Sequence, residues 1–341
     1  MTIRIEAAAY RLGTGEAAVE DWCRAQSMPP GHAAALADNG ARRYRHAQGE
    51  RLEALAGTAI EQLLHETAVP PSAIDALIVY NTSQCSVLPM PHTLAGRLRS
   101  RLSLSRATAF SIAQQQCVSP VHALRVLDAL FTRHPAWRHA IVAGADKILR
   151  EDLRAIGTSG IHSDAGGAML IGRAGDDKVH GAIHAGARNG VHGGVHWGIH
   201  SGIHGGIHGA VRGLYTYNDP KAVMGFLPDG RYEPNNNYLW SLISGLRRIA
   251  KLAGVPLAEI ASVIPHNVNR PAWLQALDAL RIPRERLFAA NFATKGHAFG
   301  SDIAMNIADS GVLARAGSHL VLVSGIGGCI GGFILTAGAQ A

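Results

Sequence analysis

The stretch ATAFSIAQQQCVSPVHALRVLDAL (residues 107–130) passes from a β-like run to a helix-like run through a single cysteine, Cys117. Ser119 followed by Pro120 reads as a helix start: a hydroxyl able to cap exposed amides, then a residue whose φ is preset for the first turn. Val121, Leu124, Leu127 and Phe131 then fall on one apolar face. Cys117 is thereby expected just before the N-terminus of a buried helix, where the positive end of the helix favours a thiolate, the nucleophilic form. A lone cysteine is more often a small packed hydrophobe, so the surrounding pattern has to decide its role.

That pattern is a faint internal copy. VPPSAIDALIVYNTS (69–83) aligns with VPLAEIASVIPHNVN (255–269), bringing Tyr80 opposite His266 and Asn81 opposite Asn267. HAIVAGAD (139–146) aligns with HLVLVSGI (319–326) at a separation of 180 residues, and the same separation carries Cys117 onto His297. Glycine-rich DAGGAMLIG (164–172) and GGCIGGFIL (327–335) make a third pair. Matches repeated in one order argue for duplicated halves. Each half alternates strand-like runs (DALIVY, HAIVAG, GAMLIG, ASVIP, HLVLVSG, GFILTA) with helix-like segments at 50–66, 120–133, 238–253, 271–280 and 300–314. The alternation predicts α/β layers with buried, mostly parallel strands. Pseudo-twofold halves would present Cys117 and His297 from equivalent strand-to-helix turns, pairing a nucleophile with an imidazole as covalent acyl transfer requires.

At 341 residues and 47% hydrophobic content the chain can bury a large core in two halves. The net charge of +7 favours acidic or phosphorylated partners only mildly, and without a basic run it argues against nucleic acid. The opening MTIRIEAAAYRLGTG carries charges and lacks an apolar signal core, and no window approaches about 18 uninterrupted apolar residues; a cytoplasmic protein with no membrane partner is expected. Cys23, Cys85, Cys117 and Cys329 lack CxxC spacing and should be reduced thiols.

Several motifs together resemble the ketoacyl-synthase III type of the thiolase superfamily, from about residue 50 to the C-terminus. They are the nucleophile turn QQQCVSP, the strand HSDAGGAMLIG, PHNVN where the family has His-Gln-Ala-Asn, KGHAFGSD where it has Gly-Asn, and the loop SGIGGCIGG. The resemblance implies a thiolase-like five-layered αβαβα fold of two duplicated halves, an N-terminal half over 1–178 with the nucleophile and a C-terminal half over 214–341 with the catalytic histidines. It also implies a homodimer whose central sheet continues across a twofold interface. Cys117 would accept the acyl group of a thioester, with an oxyanion hole from its own N–H and that of Gly328. His266 matches the catalytic histidine and Asn269 its neighbouring asparagine. GIGGCI fails the third glycine of a dinucleotide fingerprint.

Two departures qualify the match. The usual asparagine of the third catalytic position is His297, with Asp302 five residues on. Cys-His-His sets occur in related condensing enzymes, which fits decarboxylative condensation onto a malonyl-type extender. The alternative is a Cys117–His297–Asp302 relay that deprotonates an acceptor hydroxyl or amine, as in the natural-product acyltransferase branch; for Asp302, capping the helix that begins near Gly300 stands equal to that relay role. The family's coenzyme A-binding Trp-Arg set is matched loosely by Trp22, Arg42 and Arg43, and an acidic acyl carrier protein suits the positive charge at least as well. No tightly bound cofactor is implied; the coenzyme A or phosphopantetheine thioester is the substrate.

Residues 179–213 repeat a unit of branched apolar, His or Arg, any residue, Gly or Ala, and His180, His184, His192, His196, His200, His204 and His208 obey it. In a strand this period would place every histidine on one face, a row able to bind zinc, nickel or copper. No carboxylate or thiolate is interleaved, so an expanded tract in a surface connection between the halves is expected, with no metal site. Acyl transfer through Cys117, foremost as ketoacyl-synthase III-like condensation in specialised biosynthesis, stands ahead of a noncatalytic subunit or metal-binding protein on the same scaffold.

Overall fold

The computed structural model describes residues 2–82, 91–174, 186–192, 195–201, 209–218, 237–325 and 328–337. All six runs read as strands form strands, and the elements follow in chain order. The strands are β1 (Ile3–Leu12), β2 (Gly15–Ala18), β3 (Arg43–His46), β4 (Ile74–Tyr80), β5 (Thr108–Ile112), β6 (His139–Asp146), β7 (Ala165–Arg173), β8 (Gly186–His192), β9 (Val195–Ser201), β10 (Gly209–Asn218), β11 (Ile260–Ile264), β12 (Gly317–Ser324) and β13 (Cys329–Ala337). The helices are α1 (Val19–Ala25), α2 (His32–Asp38), α3 (Leu52–Thr67), α4 (Leu94–Arg101), α5 (Ser119–Arg133), α6 (Tyr238–Ala253), α7 (Arg270–Ala279), α8 (Ala290–Lys295) and α9 (Asp302–Ser310). The five helical segments expected from periodicity are α3, α5, α6, α7 and α9.

Strand order displays the duplication. The first half runs β1-β7-β6-β4-β5 and the second β10-β13-β12-β11. Where the first half has β5, the second has a single parallel bridge, Val263 with Leu287. The halves join where β1 meets β10 antiparallel, Arg4 opposite Ala210 and Ile5 opposite Gly209. The expectation of mostly parallel strands is corrected: among the described residues only β4–β5, β4–β6 and β11–β12 are parallel. In each half the two strands next to the junction run antiparallel, so the sheet is mixed.

Period-two alternation along the strands sorts the apolar residues into three cores. Leu77, Val79, Ile141 and Leu170 turn outward beneath α3 and α4. Leu320, Leu322, Ile330 and Ile334 turn outward beneath α6 and α7. Ile78, Val142, Met169, Val321 and Phe333 turn inward and enclose α5 and α9. Helix, sheet, central helices, sheet, helix is the five-layered αβαβα order. Strands covered on both faces read as unbroken apolar runs, which is why the sequence exposed them.

β1 escaped the sequence reading because Arg4, Glu6 and Arg11 interrupt its apolar text; all three are buried. Their charges are matched inside, Arg4 Nε donating to Glu6 at 2.9 Å and Arg11 pairing with Glu50. The repeat at 179–213 contributes strands of its own. Its described parts β8 and β9 form a hairpin, and β9 lies antiparallel to β1, with Ala8 opposite His200. Residues 209–213 begin β10, and the rest of the repeat lies outside the described residues. Ser119 does not cap α5: its hydroxyl donates to the carbonyl of Gln116 at 2.8 Å, and the helix begins through Pro120 in its first turn.

Candidate active site

The central helices bring the two halves' loops together. A single 3-10 turn, Gln116–Val118, runs directly into α5, and a second, Phe299–Ser301, runs directly into α9. Cys117 lies in the first and His297 two residues before the second, as the 180-residue repeat predicts. Both loops are held in sparsely allowed backbone: Gln114, Gln116 and Phe299 have φ of 68°, 49° and 54°. Non-glycine residues at positive φ are uncommon, cost of order 1–3 kcal/mol each and persist only where the surroundings over-determine them. Here the surroundings press closely. A Cβ on Gly325 would lie 2.4 Å from Gln116 Oε1, and one on Gly331 2.4 Å from Val118 Cγ1. The loop after β12 and the start of β13 therefore clamp the cysteine turn from the second half.

Cys117 is 4% exposed, and its Sγ lies 3.4 Å from His297 Nε2. His297 Nδ1 lies 2.6 Å from Asp302 Oδ2. The carboxylate is fully buried and its oxygens are supplied with donors: the Asn267 N–H at 2.7 Å on Oδ2, the Ala298 N–H at 2.7 Å and the Asn267 amide at 3.4 Å on Oδ1. A buried anion requires such compensation. Burial pulls the His297 imidazole down, but the Asp302 charge, the adjoining Cys117 and its hydrogen bonds to both outweigh this and push it up to about 10. Of the two alternatives for Asp302, the carboxylate lies where it orients the histidine, whereas it does not cap α9, whose first turn has no side-chain cap; the backbone N–H groups it accepts are those of Ala298 and Asn267.

His266 follows β11 and packs edge-on to His297, ring centres 5.7 Å apart. The Ser324 N–H donates to its Nδ1 at 3.2 Å, so the ring proton sits on Nε2, which faces the Tyr238 hydroxyl at 3.0 Å and the Ser324 hydroxyl at 3.3 Å. Burial and the positive His297 hold His266 well below the usual histidine range, against a smaller opposite pull from the Leu322 carbonyl. It is a neutral imidazole at neutral pH. A third histidine, His162, stacks on Phe299 with ring centres 4.3 Å apart and lies 5.3 Å from His297. Backbone bonds lock this approach: the His297 N–H donates to the Ile161 carbonyl at 2.9 Å, and the Ser163 N–H to that of His297 at 2.7 Å. Burial and His297 also push His162 well below the ordinary range, and its Nδ1 rests 2.8 Å from the Arg154 carbonyl.

Other expected residues are placed apart from this centre or used differently. Asn269, expected to help bind substrate, caps α7 by accepting from the Ala272 N–H at 3.2 Å, with φ of 51°. Its place beside the relay is taken by Asn267, whose side chain also accepts from Asn306 at 3.0 Å. Trp22, expected at a coenzyme A site, is 3% exposed in a small core with Leu36 and Tyr44 and donates to the Glu151 carbonyl at 3.1 Å. Arg42 and Arg43 are exposed, and Arg43 pairs with Glu16. Gly328 has φ of 75° and begins the segment that packs on the cysteine turn. A surface hollow of about 520 Å³ beside α4, lined by Glu53, His92, Arg97 and Arg101, contains none of the site residues. Cys23 and Cys329 are free and buried like Cys117, and Cys85 lies outside the described residues. No group of three or more His, Cys, Asp or Glu among the described residues could hold a metal ion. No helix among them is long and apolar enough to cross a membrane.

Comparison with known proteins agrees with this architecture. No family model matches the chain. It is 28% identical over 244 residues to the β-ketoacyl-[acyl-carrier-protein] synthase III 2 of Streptomyces coelicolor, covering 69% of this chain and 64% of that relative's length. The solved 3-oxoacyl-(acyl carrier protein) synthase III of Pseudomonas aeruginosa superposes with a TM-score of 0.74 at 17% identity, covering 100% of both chains. ChlB3, described as an acyltransferase, superposes with a TM-score of 0.74 at 17% identity, covering 100% of this chain and 99% of that one. The fold is thiolase-like, and the resemblance to ketoacyl synthase III fits these relatives.

Proposed function

We propose that this chain is an acyl-thioester transferase that loads an acyl group onto Cys117 and passes it, without loss of carbon dioxide, to a hydroxyl or amine. The observation that carries this reading is the aligned Cys117–His297–Asp302 relay, with contacts of 3.4 Å and 2.6 Å. Sequence alone ranks decarboxylative condensation first; the relay reverses that order, because His297 is tied to a carboxylate as a proton-transfer group would be.

In the first half-reaction the Cys117 sulfur attacks the thioester carbonyl and forms the new C–S bond. Collapse breaks the donor's C–S bond, and the departing sulfur takes the proton held on His297 Nε2. In the second, the acceptor's O–H or N–H gives its proton to the same nitrogen as it attacks, and the Cys117 thiolate leaves. Asp302 keeps the second proton on Nδ1 and stabilises the imidazolium in both steps. Backbone amides of Cys117 and Gly328 are the proposed donors to the transient oxyanion.

Decarboxylative condensation remains the second reading, favoured by one observation: His266 is neutral, protonated at Nε2 and packed against His297, so a second imidazole backs the one that faces the nucleophile. Coenzyme A and acyl carrier protein thioesters are the proposed donors, the latter because its acidity suits a net charge of +7. A cytoplasmic homodimer is proposed as well; β5 closes the strand order with Phe110 and Ile112 half-buried, an edge open to pairing. Quantifying acyl-enzyme and carbon dioxide in the same incubation tests the reading: acyl transfer to an alcohol or amine with no carbon dioxide supports it, and carbon dioxide stoichiometric with product overturns it in favour of condensation.

A further inference from the structure

His297 and the His266 ring packed against it both have their Nε2 atoms engaged. His297 Nε2 faces the thiol, and His266 Nε2 faces the hydroxyl of Tyr238 at 3.0 Å, with the Ser324 hydroxyl farther off at 3.3 Å. The Ser324 N–H on Nδ1 fixes the His266 proton on Nε2, since a backbone amide can only donate. The phenolic oxygen is the nearer acceptor for that N–H, and the Tyr238 hydroxyl in turn reaches toward the Val268 carbonyl at 3.5 Å. The ring has little freedom to turn elsewhere. Tyr238 lies edge-on to it at 77°, and the buried Trp273 lies edge-on at 70°, ring centre 5.4 Å away.

This matters because breaking the bond between a malonyl thioester's α-carbon and its carboxylate sends an electron pair onto the thioester oxygen. The resulting enolate needs fixed N–H donors aimed at that oxygen. His266 is the neutral donor available, and Tyr238 occupies its proton.

We propose that Tyr238 determines the reaction's outcome: by engaging the His266 Nε2 proton, its hydroxyl keeps that imidazole from stabilising an enolate and holds the site to acyl transfer. The proposal rests on the acyl-transfer reading and names the residue that suppresses the competing chemistry. In Tyr238→Phe the ring remains and the hydroxyl is lost, so His266 can donate to a malonyl thioester carbonyl. Carbon dioxide then leaves, and the enolate takes a proton from water to give the acetyl thioester.

The test is carbon dioxide release from malonyl-coenzyme A by wild type, Tyr238→Phe and Tyr238→Phe/His266→Gln, with nitrogen-15 imidazole spectra of the first two. Release by Tyr238→Phe at about ten times the wild-type rate or more, the worth of one recovered hydrogen bond, and its loss in the double variant support the proposal. Equal rates in wild type and Tyr238→Phe, or a gain that survives the loss of His266, overturn it. So does an Nε2 signal of His266 that is unmoved by the substitution, which is independent of turnover. None of these readouts requires an acyl-enzyme; failure of wild type to load Cys117 from any donor would sink the acyl-transfer reading separately.

Discussion

Replacing Asp302 with asparagine removes the charge beneath His297 while nearly preserving shape. The carboxylate accepts at four places: from His297 and the Asn267 N–H on one oxygen, and from the Ala298 N–H and the Asn267 amide on the other. An asparagine has one oxygen, so either rotamer turns its NH₂ toward two donors. The hydrogen bond lost to a charged partner is worth about 1.5–3 kcal/mol, which is about ten- to 150-fold in rate if expressed in the loading step. The pH dependence follows from the same contact. With Asp302 in place His297 is pushed up to about 10, so it remains a proton donor to the leaving thiolate through neutral and mildly alkaline pH. Without Asp302 the main upward influence is gone and burial pulls the imidazole down, so the alkaline limb of activity moves to lower pH. Loading by Asp302→Asn should consequently be more depressed at pH 8.5 than at pH 6. Quenched-flow mass spectrometry of the acyl adduct, across pH, measures both effects. A loading rate within about threefold of wild type, with an unmoved alkaline limb, would refute the relay.

Trp22→Phe should leave the affinity for an acyl-coenzyme A donor unchanged by calorimetry, while Trp22→Ala lowers stability by about 3–5 kcal/mol in denaturant titration, because Trp22 packs in a core; a selective loss of donor affinity would instead restore it to the binding site. Gly331→Ala places a methyl against the Val118 side chain at 2.4 Å, and overpacking of about 1–3 kcal/mol should slow loading of Cys117 with the fold retained by circular dichroism. Asn267→Ala removes the amide that bonds Asp302 but not the backbone N–H, so loading should fall by less than in Asp302→Asn; an equal fall would mean that the side-chain amide, not the carboxylate charge, governs the relay.

Much of this arrangement was legible in the residues. Cys117 and His297 were located by the 180-residue repeat, and the 3-10 turns leading into α5 and α9 explain why the separation is kept: each half delivers its residue at the turn that enters its central helix. The six buried strands announced themselves because a strand covered on both faces needs apolar side chains throughout. β1 did not, because its charged residues are paired inside rather than exposed, a tertiary fact. Asn269 shows the limit of motif reasoning. Its left-handed backbone commits it to capping α7, and the contact to Asp302 falls to Asn267 two positions earlier. Nothing in the sequence singled out His162 or Tyr238. One reaches the site through backbone pairing with the residue 135 positions further on, the other through the first turn of α6. Such proximities arise from long-range closure and leave no local pattern.

Every step assigned to the site depends on acylation of Cys117. Intact-protein mass after brief exposure to acyl-coenzyme A and acyl-carrier donors, with Cys117→Ala alongside, tests it directly. A gain of one acyl group in wild type that is absent in Cys117→Ala is the predicted result. A wild-type mass unchanged by every donor, while small thiol reagents still modify Cys117, would contradict the account.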